Sequence, residues 1–216
     1  MRPAFVVTGT DTDVRKTVLA AALVAALDGS YWKPVQAGLA EETDAEIVRR
    51  LSGASADRII PEVYRLTTPA SPHVAAERDA IAIDVELLTT LPDTGGTRPL
   101  IIEGAGGLMV PLTRRFLQID LIARWGSPVV LCASTRLGTI NHSLLSIEAL
   151  KRRGIPLLGV AFVGGEQADS ERTIVEMGGV RRLGWLPRLD PLDTATLRAA
   201  FEGNFRRSDF LADATT

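Results

Sequence analysis

Short apolar runs recur along this chain and predict buried strands. They lie at residues 4–7, 100–102, 129–133 and 157–163, and they contain Val, Ile and Leu without strict alternation. Strands that are covered by helices on both faces have this pattern, whereas half-exposed strands alternate between apolar and polar residues. Residues 31–35 form a fifth candidate strand. The pattern therefore predicts a mostly parallel sheet that is buried on both faces.

Helical patterns lie between these runs. Residues 17–27 are rich in Ala and Leu, and residues 44–51 and 84–91 have amphipathic patterns. Residues 141–153 place apolar side chains at helical spacing and end in basic residues, which suit the carboxyl end of a helix. Because strands alternate with helices, the sequence predicts an α/β fold of the doubly wound kind.

The length of 216 residues suits one domain. We expect this domain to span residues 1–216, with an ordered core of about 3–205 and a frayed end at 212–216. The net charge of −2 provides no electrostatic footprint for nucleic acid or for an anionic membrane. These two classes of partner are therefore excluded from the prediction.

The single cysteine, Cys132, lies inside an apolar run, which indicates a buried and inert thiol in a reducing compartment. The amino terminus leads directly into a strand-like run and has no pattern of a signal peptide. No apolar run reaches the roughly 20 residues that span a bilayer. We therefore expect a cytoplasmic protein without a membrane partner.

Residues 9–17 follow the first predicted strand and lead into the first predicted helix, the position of a loop that cradles phosphate. Lys16 would reach the β- and γ-phosphates, and the Thr17 hydroxyl would hold a magnesium ion. The strict phosphate-loop pattern has glycine where Thr10 and Arg15 stand. The alternative is an ordinary strand-to-helix turn whose Asp and Thr side chains cap the helix.

Five segments, in order, resemble the motifs of the dethiobiotin synthetases. One such motif is unspecific, but five at suitable spacing are specific, and the resemblance covers about residues 4 to 190. The segments are Gly-Thr-Asp-Thr-Asp-Val-Arg-Lys-Thr at 9–17, Lys-Pro-Val at 33–35, Thr-Pro-Ala-Ser-Pro-His at 68–73, Glu-Gly-Ala-Gly-Gly at 103–107 and Leu-Gly-Thr-Ile-Asn-His at 137–142.

The resemblance implies a single P-loop NTPase-like α/β domain that works as a homodimer with its site at the interface. It also implies a ligase, dependent on ATP and Mg²⁺, that joins 7,8-diaminopelargonic acid to CO2. In this reaction one amine becomes a carbamate, and the carbamate oxygen attacks the γ-phosphate to give a carbamic–phosphoric anhydride. The second amine then closes the cyclic urea of dethiobiotin and expels phosphate, and ADP is released.

Such a reaction gathers negative charge where carbamate, γ-phosphate and leaving ADP meet, so fixed cations are needed. By resemblance, Lys16 and Lys33 supply them, and Thr12 completes the catalytic set. Without the resemblance, Lys33 would be interpreted as a solvated lysine.

The resemblance assigns Thr17, Asp44 and Glu103 to the magnesium ion, which prefers oxygen ligands. Asp44 could equally be the N-cap of its helix. Glu103 follows a buried strand and precedes a glycine-rich segment, a position that suits an ion site.

The resemblance also assigns nucleotide and substrate contacts. The turn before the long helix would bind the substrate carboxylate across the dimer interface, although Asn141 could instead be only a helix cap. The nucleotide residues are Asp13, Val14, Arg15, Lys16, Thr17, Val18, Glu103, Gly104, Ala105, Gly106, Leu186, Pro187 and Arg188. The substrate residues are Thr12, Lys33, Ala37, Gly107, Gly138, Thr139, Ile140 and Asn141.

Three positions depart from the family pattern. Arg15 replaces a glycine whose backbone wraps closely around phosphate, which predicts weakened or altered nucleotide binding. Ala37 replaces a residue that often carries a hydroxyl, so one hydrogen bond to the substrate is absent. Val163 and Gly164 stand where many members have Asn-Asp, which predicts a relaxed choice of nucleotide. Arg15 and Val163 also support the alternative of a non-catalytic regulatory or scaffold dimer.

Overall fold

A computed structural model describes residues 3–211, and the expected frayed segment 212–216 lies outside this range. The strands are β1 Ala4–Gly9, β2 Ser30–Trp32, β3 Val35–Ala37, β4 Ile59–Ile60, β5 Tyr64–Leu66, β6 Leu100–Gly107, β7 Pro111–Thr113, β8 Phe116–Leu117, β9 Val129–Ser134, β10 Leu157–Gly164 and β11 Arg182–Pro187. The helices are α1 Lys16–Leu27, α2 Asp44–Ser52, α3 Pro72–Arg78, α4 Val85–Thr89, α5 Gln118–Trp125, α6 Thr139–Arg152, α7 Ala168–Gly178, α8 Thr194–Asn204 and α9 Ser208–Leu211, with a 3-10 turn at Ala56–Arg58.

The main sheet has seven strands in the order β11-β10-β9-β1-β6-β2-β4. Every pairing within it is parallel. Two small sheets, the parallel pair β3–β5 and the antiparallel pair β7–β8, lie apart from it. The four apolar runs predicted as buried strands fall inside β1, β6, β9 and β10. The predicted α/β fold with a mostly parallel sheet is thus confirmed.

Helices cover both faces of the sheet. On one face, α1, α2 and α8 enclose a core with Phe5, Val7 and Ile101. On the other face, α5 packs on Val6 and Ile102, while α6 and α7 enclose a neighbouring cluster. Side chains that alternate along β1 and β6 thus enter different cores. Both faces are apolar, and this explains why these strands lack polar alternation in the sequence.

The prediction of one strand over residues 31–35 is wrong. The chain forms β2, leaves the main sheet at Lys33 and Pro34, and then forms β3 in another sheet. Pro34 has no N–H to donate to a sheet ladder, and its carbonyl accepts hydrogen bonds from Val63 and Tyr64 instead. This break places Lys33 at the carboxyl end of β2.

Helix boundaries also differ from the prediction, most clearly in α4 and α6. The helix predicted over 84–91 forms only α4, and the Asp84 side chain caps its start at Glu86 N–H. The helix predicted from residue 141 begins at Thr139, after Gly138 in the left-handed conformation. Cys132 is buried, which confirms the predicted burial of its thiol, and burial raises the pKa of this thiol to about 12. None of the helices within residues 3–211 has the length and apolarity that crossing a membrane requires.

Candidate active site

The turn between β1 and α1 has the backbone of an anion-binding loop. Arg15 stands at the N-cap of α1 with φ 62° and ψ 39°, and Asp13 also has a positive φ of 53°. This left-handed conformation is costly for a residue with a side chain, as predicted for the family's glycine position. No side chain caps α1, so the alternative of an ordinary capped turn is wrong. The first N–H groups of a helix have no partner within the helix, and they can bind an anion at such a start.

Lys16 spans the mouth of this turn. Its side chain is nearly buried, with 7% exposure, and its Nζ donates to the carbonyl of Asp11 at 3.3 Å. Arg136, which the sequence analysis did not single out, donates to the carbonyl of Asp13 at 3.4 Å. Two cations therefore hold carbonyls of the turn. Arg136 follows a central strand at its carboxyl end, and this position was the one available signal.

Thr17 lies at the centre of a cluster of oxygen atoms. Its hydroxyl is 2.5 Å from Asp44 Oδ1 and 2.9 Å from Glu103 Oε1. Glu103 lies in the middle of β6, and Asp44 is the first residue of α2. The Thr43 side chain caps α2 through Glu46 N–H, so the interpretation of Asp44 as the N-cap is wrong. The Asp44 carboxylate does not cap the helix, and it contacts Thr17 and Lys33 instead.

Lys33 closes this cluster from the other side. Its Nζ pairs with Asp44 Oδ2 and lies 3.5 Å from Glu103 Oε1, and the residue is only 8% exposed. The interpretation of Lys33 as a solvated lysine is therefore wrong. Tyr31, two residues earlier in β2, donates its hydroxyl to Glu103 Oε2 at 2.9 Å. Sequence reasoning missed Tyr31, because a tyrosine in an apolar run indicates only core packing.

Burial and charge oppose each other in this cluster. Burial favours the neutral acid and raises the pKa of Glu103 above its usual value, although the Lys33 ammonium partly offsets this shift. Burial alone would lower the pKa of Lys33, but Glu103 and Asp44 outweigh it and raise that pKa. For Asp44, burial is outweighed by Lys33 and by the Thr17 hydroxyl, and its pKa is lowered. The arrangement keeps Lys33 positively charged.

The oxygen cluster fits a magnesium ion chemically. Thr17, Asp44 and Glu103 supply hydroxyl and carboxylate oxygens, which Mg²⁺ prefers. Within residues 3–211 there is no cluster of three or more His, Cys, Asp or Glu residues that could enclose a metal ion. A site with two carboxylates matches the usual magnesium arrangement, in which phosphates and water complete the shell.

A cleft of about 1180 Å³ opens over the carboxyl ends of the central strands. On one side it reaches β3 and the start of α3, and on the other the ends of β9, β10 and β11. The predicted site residues that line it are Thr12, Asp13, Val14, Arg15, Lys16, Thr17, Val18, Lys33, Ala37, Asp44, Glu103, Ala105, Gly106 and Arg188.

Other predicted contacts do not line this cleft. Leu186 is fully buried, so only its backbone is available to a ligand. The turn at 138–141 starts α6 outside the cleft, beside the fully exposed Leu137. Gly138 is the N-cap of α6, so the interpretation of Asn141 as the cap is wrong. The predicted residues outside the cleft are Gly104, Gly107, Leu186, Pro187, Gly138, Thr139, Ile140 and Asn141.

The far end of the cleft is closed by backbone contacts. Val163 and Gly164 end β10 and line the cleft, together with Thr135. The carbonyl of Val163 accepts from Thr135 N–H at 3.2 Å, and the carbonyl of Gly164 accepts from Trp185 Nε1 at 3.0 Å. A Cβ on Gly164 would lie 2.3 Å from Thr135 Oγ1, so this approach requires glycine. Two acceptors at this end are thus already engaged within the protein.

The fold and site define a P-loop nucleotide-dependent protein. A family model described as an AAA domain matches residues 3–196. MinD from Pyrococcus horikoshii OT3, solved with Mg-ADP, is similar with a TM-score of 0.54 and 14% identity over 93% of this chain and 86% of its own. A ParA family ATPase from Chlorobium tepidum TLS has a TM-score of 0.55 and 10% identity, over 94% and 91%. At such low sequence identities, the structural similarity to these two proteins shows only that the fold is shared.

Sequence relatives identify the family. The ATP-dependent dethiobiotin synthetase BioD of Rhodopseudomonas palustris (strain TIE-1) is 64% identical over 99% of this chain and 100% of its own length. The enzyme of the same name from Nitrobacter hamburgensis is 60% identical, over 98% of each chain. This chain belongs to the ATP-dependent dethiobiotin synthetases. It is accordingly an enzyme, a ligase that forms C–N bonds, and the relatives do not favour a non-catalytic scaffold.

Proposed function

We propose that this chain closes the ureido ring of dethiobiotin from 7,8-diaminopelargonic acid and CO2 at the expense of ATP. The observation that carries the proposal is the buried cluster of Lys33, Asp44, Glu103 and Thr17 beside the anion-binding turn. A protein that only bound nucleotide as a scaffold would have no use for this set. The sequence relatives of this chain that are named ATP-dependent dethiobiotin synthetase also support the proposal.

In this proposal the γ-phosphate lies between Lys16 and Lys33. Lys16 and the N–H groups at the start of α1 bind the phosphates, and Lys33 faces the oxygens that gain charge as the carbamate attacks. Thr17, Asp44 and Glu103 would hold a magnesium ion, which would neutralise phosphate charge. The cations are oriented before the substrate binds, because ion pairs and burial fix them.

Substrate binding is proposed for the arm of the cleft beside β3. Thr12, Lys33 and Ala37 line this cleft. The turn at 138–141 is proposed to bind the substrate carboxylate of a second copy, because it carries a helix start but lies outside its own cleft. The active form would then be a homodimer, working in the cytoplasm.

A substrate-dependent phosphate-release assay tests this function. We expect phosphate release only when ATP, Mg²⁺, bicarbonate and 7,8-diaminopelargonic acid are all present, with dethiobiotin detected by mass spectrometry in equal amount. Omitting the diamine serves as the control for simple ATP hydrolysis. Phosphate release that does not depend on the diamine, or no phosphate release above background, would contradict the proposal.

Arg15→Gly is expected to bind ATP about fivefold more tightly, which corresponds to roughly 1 kcal/mol. Glycine adopts the left-handed conformation of residue 15 without strain and lets the backbone approach phosphate more closely. Isothermal titration with ATP measures the change. Ala80→Gly is the matched control, because Ala80 is exposed, has φ 55° and lies away from the cleft. An unchanged or weaker affinity of Arg15→Gly would refute the expectation.

The choice of nucleotide is expected to be relaxed. Val163 provides no amide to read adenine, and the carbonyls of Val163 and Gly164 are engaged with Thr135 and Trp185. We expect kcat/KM with GTP and CTP to lie within about tenfold of the ATP value, because the phosphates then provide most of the recognition. Val163→Asn should shift the preference toward ATP. Strict dependence of the unaltered enzyme on ATP would rule out the relaxed choice.

A further inference from the structure

The loop before α3 borders the arm of the cleft beside β3. It belongs to the segment at 68–73, none of whose residues is among the predicted contacts to nucleotide or substrate. The cleft is lined here by Pro69, Ala70, Ser71 and Pro72. Of these four residues, only Ser71 has a side chain that forms hydrogen bonds. Its hydroxyl is therefore the side-chain group with which this loop can recognise a polar substrate.

This loop lies directly against the end of β3. Ala37 pairs with Leu66 in the small parallel sheet, and Gly38 N–H donates to the carbonyl of Leu66 at 2.9 Å. A Cβ built on Gly38 would lie 3.2 Å from Pro69 Cβ. Ser71 follows Pro69 by two residues, and both Ser71 and Ala37 line the cleft. The two residues therefore belong to neighbouring segments of the cleft wall.

The helix α3 does not use the Ser71 side chain as a cap. Ser71 stands at the N-cap, where a serine ordinarily accepts from a backbone N–H of the helix. Within residues 3–211, no side-chain hydrogen bond caps this helix start. The Ser71 Oγ lies 3.1 Å from His73 Nδ1 instead, and both residues are partly buried. The hydroxyl is thus held by a side-chain contact at the edge of the cleft.

This contact leaves the hydroxyl with further hydrogen-bonding capacity. A serine hydroxyl donates one hydrogen bond and accepts two, and Nδ1 of a neutral histidine takes part in one. When Nδ1 accepts the hydroxyl proton, both lone pairs of the Ser71 Oγ remain for a donor. An amine N–H of the substrate is such a donor.

The nearest polar side chain on β3 is already engaged within the protein. Gln36 also lines the cleft, but its Nε2 donates to the carbonyl of Ala37 at 3.1 Å and to that of Gly38 at 3.5 Å. Its Oε1 accepts from Asp44 N–H at 3.4 Å. The methyl group of Ala37 forms no hydrogen bond. A polar contact from this wall is therefore best supplied by Ser71.

We propose that Ser71 is a specificity-determining residue, whose hydroxyl accepts a hydrogen bond from an amine of 7,8-diaminopelargonic acid. His73 is a positioning residue that orients this hydroxyl. The inference rests on the proposed function, because it takes the arm beside β3 as the substrate site.

Ser71→Ala tests this assignment by removing a single oxygen atom. Calorimetric titration with 7,8-diaminopelargonic acid in the presence of Mg²⁺-ADP should give a Kd about fivefold higher, as expected for one lost hydrogen bond. The KM for the diamine should rise by a similar factor. We expect kcat and the KM for ATP to stay within about twofold, because the contact contributes to substrate binding and not to the phosphates. The Tm should be unchanged.

A rescue variant separates substrate contact from a structural role. Ala37→Ser, added to Ser71→Ala, places a hydroxyl on the neighbouring segment and should bring the Kd for the diamine back to within about twofold of the unaltered value. Ser55→Ala is the matched control. Ser55 is also an N-cap serine in extended conformation, at the 3-10 turn, but it lies outside the cleft. It should leave the Kd for the diamine unchanged.

The role of His73 is tested by two further variants. His73→Leu removes the partner of the hydroxyl and should raise the Kd for the diamine about threefold. His73→Asn places an amide near the position of Nδ1 and should keep this Kd within about twofold of the unaltered value.

Two results would overturn the inference. The first is an unchanged Kd for the diamine in Ser71→Ala, whether or not the Tm falls. The second is a raised Kd that Ala37→Ser does not restore. If the unaltered protein binds the diamine but forms no dethiobiotin, the proposed function fails instead. The titrations need no turnover, so they still decide whether Ser71 contacts the diamine.

Discussion

Lys16→Met is expected to lower kcat/KM by about 10³-fold while the protein stays folded. The Lys16 side chain is nearly buried at the mouth of the anion-binding turn, where its Nζ donates to the carbonyl of Asp11. Methionine keeps the length and the apolar stem but removes the charge. The phosphates would then lose a fixed cation in a site where burial strengthens every electrostatic interaction.

The measurement is dethiobiotin formation at several ATP concentrations, together with the Tm. Lys151→Met is a matched control, because Lys151 is also a lysine that donates to a backbone carbonyl, that of Gly178 at 2.7 Å, but outside the cleft. It should retain kcat/KM within about twofold, since it contacts neither nucleotide nor substrate. Retention of full activity by Lys16→Met would remove Lys16 from the proposed mechanism.

Lys33→Met is expected to abolish most activity and to make stability depend on pH. Lys33 is the ammonium that offsets the buried carboxylates Asp44 and Glu103. Without it, two carboxylates remain together and one must be uncompensated or protonated. We expect kcat to fall about 10²- to 10³-fold, because a fixed cation that faces the transferring phosphoryl group is lost.

The sign of the pH effect follows from Glu103. Burial already raises the pKa of this carboxyl, and loss of the Lys33 charge raises that pKa further. The folded state then binds a proton that the unfolded state releases, so the free energy of unfolding falls as pH rises above the unfolded pKa. Lys33→Met should therefore be destabilised more at pH 8 than at pH 5, by about 3 kcal/mol at pH 8.

Chemical denaturation at both pH values measures this difference. The double variant Lys33→Met with Glu103→Gln removes the titrating carboxyl and is the control. It should recover stability at pH 8 but not activity, because the catalytic groups are still absent. Equal stability of Lys33→Met at pH 5 and pH 8 would contradict the charge balance proposed for the cluster.

Much of the fold could be predicted from the sequence because its signals are local. Continuous apolar runs predicted β1, β6, β9 and β10, since a strand buried on both faces needs apolar residues on both. The helix α7 was not predicted, because only Glu171, Ile174 and Gly178 of its 11 residues are buried. Such a mostly exposed helix contains few apolar residues, so its sequence is hard to distinguish from that of a polar loop.

The site could be predicted only in part, because some of its contacts join residues that are far apart in the sequence. Lys16 and Thr17 were predicted by their position after a strand, and Glu103 by the family resemblance and by its position after an apolar run, although β6 continues to Gly107. The hydrogen bond between Tyr31 and Glu103 joins residues 72 apart, and no local pattern indicates it.

The sequence by itself determined the class of fold, the family and the position of the anion-binding turn, because periodicity and motif spacing are properties of neighbouring residues. Only the tertiary structure decided the charge state and surroundings of the site. It showed that residue 15 is left-handed and that Lys33 is buried between Asp44 and Glu103. These contacts join distant segments, and burial, which sets their energies, exists only once the chain has packed.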